Sequence, residues 1–216
     1  MVNPERLFQA IAFAARAHEG EKRKGENPPP YICHPFFVGL ELLRAGCDED
    51  TVIAGILHDT LEDGFPGLPR EEVVEALQKN FEARVVELIQ GVTEPKDPNM
   101  TREEKERTWE ERKLRYRERL SSLSPEVRAI ACADMWANIL EFWQTLQREG
   151  VKALEIFNVK DIGKKLEHWQ QEINIFYEKD GEGKYPYLCL ADRAREVLED
   201  IRALVNRFGT GEHLEL

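Results

Sequence analysis

Cysteine is scarce in this chain of 216 residues: Cys33, Cys47, Cys132 and Cys189 stand far apart, with no CxxC pair. That spacing suits reduced thiols in a cytoplasm better than a disulfide frame or a zinc knuckle. Long apolar runs are missing too, and the opening "MVNPERLFQA" lacks the apolar core of a signal peptide. Positive charge is in deficit, with 30 Lys+Arg against 41 Asp+Glu and a net charge of −11. A nucleic acid or an anionic membrane would want a basic face, so neither is an expected partner. A small phosphorylated ligand needs only a local basic patch and stays open, as does the oligomeric state. Hydrophobic residues at 42% and charged residues at 33% describe a globular chain, of a length for one domain or one domain with an extension.

Sustained alternation of the strand type is absent, as is any internal repeat. What is present is helical periodicity. Residues 4–18 place Leu7, Ile11, Ala14, Ala15 and His18 on one stripe. "GEKRKGENPPPYICHP" (20–35) is a loop, because glycine and successive prolines forbid a helix. Helices are expected at about 35–45, 48–63, 69–79, 82–91, 102–120, 125–148, 161–178 and 186–208. Pro35 suits a first turn, and "DEDT" supplies a cap and first-turn acids for the second of these. The fold class is all-α.

The chemistry concentrates in "ILHDTLED" (56–63), where His58, Asp59, Glu62 and Asp63 sit within an apolar helix. Burying them together is costly unless a cation is shared among them. On a continuous helix His58 stacks over Glu62 and Asp59 over Asp63, and His58 and Asp59 reach one ion from the same turn. Glu62 and Asp63 could then orient or deprotonate a bound water. The alternative is a helix end with solvated acids and a hydrogen-bonded core histidine. Two further residues favour the metal: His34 before Pro35, and Asp134 inside the apolar run "AIACADMWANIL". His34, His58, Asp59 and Asp134 make a mixed nitrogen and oxygen donor set suited to Mn²⁺, Fe²⁺ or Zn²⁺.

At these residues the sequence resembles the HD-domain metal-dependent phosphohydrolases, whose pattern is H…HD…D. Within them it resembles the hydrolase domain of the RelA/SpoT-type (p)ppGpp enzymes and their small stand-alone relatives. The stretches that carry this are "AHEGEKRKGENPPPYICHP", "AGILHDTLEDG", "LIQGVTEP", "WEERK" and "ADMWAN", in family order over roughly residues 17–138. The resemblance implies a single-domain helical HD fold (1–150) with C-terminal helices (151–216) packed on it. It implies that His34, His58, Asp59 and Asp134 bind a divalent metal, Mn²⁺ foremost, and that Glu62 and Asp63 act on the attacking water. It also implies that Arg23 and Lys24 lie beside a nucleotide and that Asn138 contacts it.

Where the larger enzymes read close to "RLHNMRT" after the matching aspartate, this chain reads "MWANILE". Met135 replaces a basic residue there, and Glu141 would repel a polyphosphate if it faced one. The implied activity is removal of the 3′-pyrophosphate of (p)ppGpp. Its rivals are the same chemistry on another nucleotide, such as a nicotinamide dinucleotide phosphate, or a metal- or nucleotide-binding regulatory module without turnover. "TREEKERTWEERKLRYRERL" (101–120) reads as a salt-bridged exposed helix, with Arg112 and Lys113 able to reach a phosphate. His18 reads as structural, His168 and His213 have no assigned role, and the four tryptophans read as core or packing residues.

Overall fold

The computed structural model of the chain describes residues 2–62, 64–94, 101–183 and 185–209, so Asp63 and His213 lie outside the described residues. All regular structure among these residues is helical, apart from one antiparallel bridge between Lys22 and Pro30. The order is α1 (Pro4–Ala17), α2 (Cys33–Ala45), α3 (Glu49–Leu57), α4 (Arg70–Asn80), α5 (Ala83–Val92), α6 (Arg102–Arg107), α7 (Trp109–Ser122), α8 (Pro125–Glu149), α9 (Lys152–Ile156), α10 (Ile162–Asp180) and α11 (Leu188–Gly209). No described helix is long and apolar enough to cross a membrane.

The helical hairpin α2–α3 sets the geometry of the site. Gly46 ends α2 in the left-handed conformation (φ 83°), and Asp48 caps α3 by accepting from the Thr51 amide at 3.2 Å. So short a link runs the two helices back against each other. They cross closely at two glycines: a Cβ on Gly39 would lie 2.2 Å from Ile56, and one on Gly55 would lie 2.3 Å from Leu42. The N-terminal turn of α2 therefore meets the C-terminal end of α3. α8 is almost wholly buried in its first half and packs against both, carrying α10 and α11 on its other side.

Two buried polar clamps hold these layers in register. Glu41 on α2 accepts from Trp136 Nε1 at 3.2 Å and from Arg193 on α11 at 2.7 Å. Arg128 on α8 grips Asp180 in a bidentate pair of 2.6 and 2.7 Å, and Tyr187 donates to the same carboxylate.

Several expected boundaries differ. On α1 the buried face is Ala10, Phe13, Ala14 and Ala17, and Ala15 is exposed. Phe13 decides this rotation, since it sits edge-on between Phe65 and Phe81 at 5.4 and 5.3 Å. The expected helix at 102–120 breaks at Thr108, whose hydroxyl bonds back to the Glu104 carbonyl at 2.7 Å. The five-residue α9 is too short to show a period.

The difference that matters most is at 48–63. α3 stops at Leu57, and residues 58–62 continue as tight turns, closed by Thr60 N to Leu57 O at 3.0 Å and Glu62 N to Asp59 O at 3.1 Å. Thr60 Oγ also takes the Leu57 carbonyl, at 2.6 Å, and so competes with continuation of the helix. The expected stacking of His58 over Glu62 on one helical face does not occur.

Candidate metal and nucleotide site

His34 stands in the first turn of α2 and His58 caps α3, so the hairpin itself brings the two imidazoles together, with ring centroids 5.4 Å apart. Both are buried, at 7% and 5% exposure. Asp59 follows in the turn, and Asp134 arrives from the third turn of α8. His34 Nε2 lies 3.0 Å from Asp134 Oδ1 and 3.7 Å from Asp59 Oδ2. His58 Nε2 lies 3.2 Å from Asp59 Oδ1 and 3.6 Å from Asp134 Oδ1. The nearest donor atoms of His34, His58 and Asp59 all fall within 4.8 Å of one another.

The tautomer of His58 follows from its neighbour. Its Nδ1 lies 2.8 Å from the Gly55 carbonyl, which can only accept, so Nδ1 carries the hydrogen and in the neutral ring Nε2 presents its lone pair to the carboxylates. That buried Nε2 has no hydrogen-bond partner. Burial lowers the His58 pKa, yet Asp59 and Asp134 outweigh it and raise the value to about 9. Burial opposes charge on Asp134 as well, and His34 and His58 nonetheless hold it well below the usual carboxylate range. The cluster thus draws a positive charge into its centre. The donor set and the orphaned Nε2 fit a divalent cation.

Tyr31, which had no part in the sequence reading, donates to Asp59 Oδ2 at 2.8 Å. His18 stacks on the Tyr31 ring at 4.6 Å and binds Glu21 through Nδ1 at 3.0 Å, a supporting position behind the donors. Glu62 lines the same cavity as Asp59, and one of its oxygens accepts from the Glu94 amide at 2.6 Å.

The cavity above this cluster has a volume of about 500 Å³. Arg23, Lys24 and Asn138 all line it. Asn138 donates to Asp134 at 2.7 Å and accepts from Arg23 at 3.1 Å, so its amide is engaged on both sides. Arg23 lies over the Tyr31 ring at 5.2 Å and pairs with Glu141, whose carboxylate and burial both act on its pKa, with a net rise. The acid that would repel a polyphosphate is thus spent on a neighbouring guanidinium.

The far wall comes from α7 and α10, where sequence reasoning assigned nothing beyond Arg112 and Lys113. Both line the cavity, joined by Lys165, His168, Trp169 and Glu172. Arg117 can only donate, so its contact to His168 Nδ1 at 3.0 Å leaves the hydrogen on Nε2, which faces Glu172 at 3.3 Å. Burial and the nearby Lys113 push the His168 pKa down to about 2, and burial pushes Glu172 up to about 7. Trp109, expected in packing, meets the His168 ring edge-on at 5.7 Å.

A family model for the HD domain matches residues 10–154. The guanosine-3′,5′-bis(diphosphate) 3′-pyrophosphohydrolase of Aquifex aeolicus is 42% identical over 90 residues, 41% of this chain and 12% of that protein. The protein of the same name in Borreliella burgdorferi is 41% identical over 101 residues, again only 14% of its length. The human protein so named is 31% identical over 136 residues, covering 62% of this chain and 67% of its own. A solved structure described as a metazoan orthologue of SpoT that hydrolyses ppGpp superposes with a TM-score of 0.64 at 19% identity, over 90% of this chain and 96% of that one. At that identity the superposition speaks to the fold.

Proposed function

Because the chain belongs to the HD-domain family, we propose that it is a metal-dependent phosphohydrolase that removes the 3′-pyrophosphate of (p)ppGpp, giving GDP or GTP and pyrophosphate. The observation that carries this reading is the orphaned His58 Nε2 between two carboxylates and beside His34, on the floor of a cavity whose far wall is cationic. The relatives named as 3′-pyrophosphohydrolases supply the substrate.

In this proposal His34, His58, Asp59 and Asp134 hold the ion, with Mn²⁺ preferred and Fe²⁺ or Zn²⁺ compatible with the same donors. A divalent ion held there would supply charge neutralisation for the developing phosphoryl group and acidification of the attacking water. Tyr31 and Asn138 orient the two aspartates through the hydrogen bonds described above. Glu62 and Asp63 position the attacking water and take its proton. The water oxygen attacks the phosphorus bound to the ribose 3′-oxygen, that bond breaks, and the 3′-oxygen leaves with the proton that the carboxylate took from the water. Arg23 and Lys24 lie against the nucleotide, and Arg112 and Lys113 meet its phosphates. We assign the hydrolase core to residues 1–150 and the helices after it to a supporting wall. Free thiols and a nucleotide substrate accord with a cytoplasmic setting.

Incubating the purified protein with Mn²⁺ and ppGpp should release pyrophosphate and GDP. The pairing of Arg23 with Glu141 favours one rival, the same chemistry on a less highly charged nucleotide, because it removes one cation from the nucleotide wall. A nucleotide panel that includes ppGpp separates the two.

A further inference from the structure

The cavity over the metal-binding cluster does not end at α7 and α10. It shares Lys24, Arg112, Phe157 and Lys165 with a second cavity of about 840 Å³, so these four side chains form a neck between two lobes. The outer lobe is walled by Arg107 and Trp109 at the α6–α7 junction and by residues 158–161 and Lys164 around the start of α10. Most of these wall residues lie beyond the stretch that matches the HD family model.

The lobe is strongly cationic in a chain of net charge −11. Among the described residues Lys24, Arg107, Arg112, Lys160, Lys164 and Lys165 line it, with Glu110 and Asp161 as the acids. Both carboxylates are already engaged: Glu110 pairs with Lys164, and Asp161 accepts from the Lys164 amide at 3.0 Å as the cap of α10. At the neck the Lys165 ammonium rests on the Trp169 ring at 4.4 Å, and Lys24 lies over Phe157 at 5.6 Å. Among the described residues neither ammonium has a carboxylate within ion-pair distance. Two lysines held on aromatic faces without a counter-ion, at a constriction between two cavities, are a site for a passing anion.

We propose that the outer lobe is a phosphate-chain subsite, in which the 5′-phosphates of the substrate pass the Lys24–Lys165 neck and reach Arg107 and Lys160. This rests on the alarmone reading above: with the 3′-pyrophosphate at the histidine–aspartate cluster, the 5′ chain is the anionic end left to face the neck. The lobe then measures the length of that chain. A 5′-triphosphate reaches the outer cations better than a 5′-diphosphate, so pppGpp is preferred over ppGpp.

GTP and GDP carry the same two chain lengths without the scissile group, and they test the subsite apart from turnover. In calorimetric titration the wild-type protein should bind GTP about fivefold more tightly than GDP, the scale of a partly exposed charge-assisted contact. The double variant Arg107→Ala/Lys160→Ala, altered at two exposed positions, should abolish that difference, and its kcat/KM should fall more for pppGpp than for ppGpp. Lys160→Glu should reverse the preference toward GDP. Equal binding of GTP and GDP by the wild type, or a GTP preference that survives in both variants, would overturn the proposal. If neither alarmone is hydrolysed while the GTP preference is present and is lost in the variants, the subsite stands and the alarmone reading falls.

Discussion

The two ends of the cavity are built in opposite ways. At the histidine–aspartate end, the four candidate donors come from the N-terminus of one helix, the C-terminus of its hairpin partner with the turn after it, and a third helix, the two histidines buried and the two aspartates half-buried. Acids meet bases there at 3.0 to 3.7 Å, and every donor points inward. At the α7–α10 end, Lys113 and Lys165 lie on the rings of Tyr116 and Trp169, and Lys113 reaches Glu94 only at 4.0 Å. In the proposed reading the first end takes a cation and the second an anion. A phosphorylated nucleotide bridging a metal ion and a basic wall satisfies both, so each end should fail in its own way when altered.

The sharpest break is at the metal-binding end. Asp59→Ala removes a donor that faces both histidines, and it should abolish metal binding and turnover together. It should also remove the rise in Tm that Mn²⁺ gives the wild type, since an ion bound only to the native state stabilises by mass action. An unchanged Mn²⁺-dependent Tm shift in the variant would take Asp59 out of the donor set. Glu62→Gln comes next. It keeps an oxygen that can accept from the Glu94 amide, so metal binding should persist while kcat falls by roughly 10²–10⁴-fold, as for the loss of a general base. Near-normal kcat would remove Glu62 from the proton transfer.

The metal-binding end was also the more legible in the sequence. His58 and Asp59 are adjacent and Asp134 stands out in an apolar run, so cost of burial raises the question there, and the H…HD…D resemblance joins them to His34. Helix period and proline punctuation likewise located most helices to within a few residues. What stayed hidden was the stop at Leu57, because "HDTLED" continues the apolar period and the competing Thr60 hydroxyl is a matter of rotamer. Tyr31 was invisible inside a proline-rich loop whose path only the fold defines. The cationic end was illegible for a different reason. Lys165, Trp169 and Glu172 are common residue types on an amphipathic helix, and they gain meaning only where α10 packs across the chain from α3 against α7 and α8.

Tyr31 tests how far the rigidity of the first end depends on support from behind. Tyr31→Phe keeps the ring on which His18 and Arg23 lie but deletes the hydrogen bond to Asp59. Loss of such an outer partner typically costs 10–100-fold in metal affinity or activity, and the Mn²⁺ concentration for half-maximal rate should rise on that scale. Excess Mn²⁺ should restore kcat. Failure of excess metal to rescue would mean that Tyr31 acts on the substrate instead.

The smallest effect expected is a pH drift at the other end. Burial first, and then Lys113, push the Lys165 ammonium down to about 8. Near pH 7 it is mostly charged and available to an anion. As pH rises through about 8 it loses its proton, so KM should climb several-fold between pH 7 and 9 while kcat changes less. Arginine stays charged throughout this range, so Lys165→Arg should flatten the climb. The sign for stability is the opposite. A lysine pKa depressed in the folded chain means that between about 8 and the ordinary lysine value of about 10.4 the unfolded chain binds more protons. Stability of the metal-free protein should therefore gain from this group as pH rises across that window, and Lys165→Met should remove the gain. A KM that is flat with pH in the wild type, or a climb that persists in Lys165→Arg, would detach Lys165 from substrate binding and leave it a packing residue on Trp169.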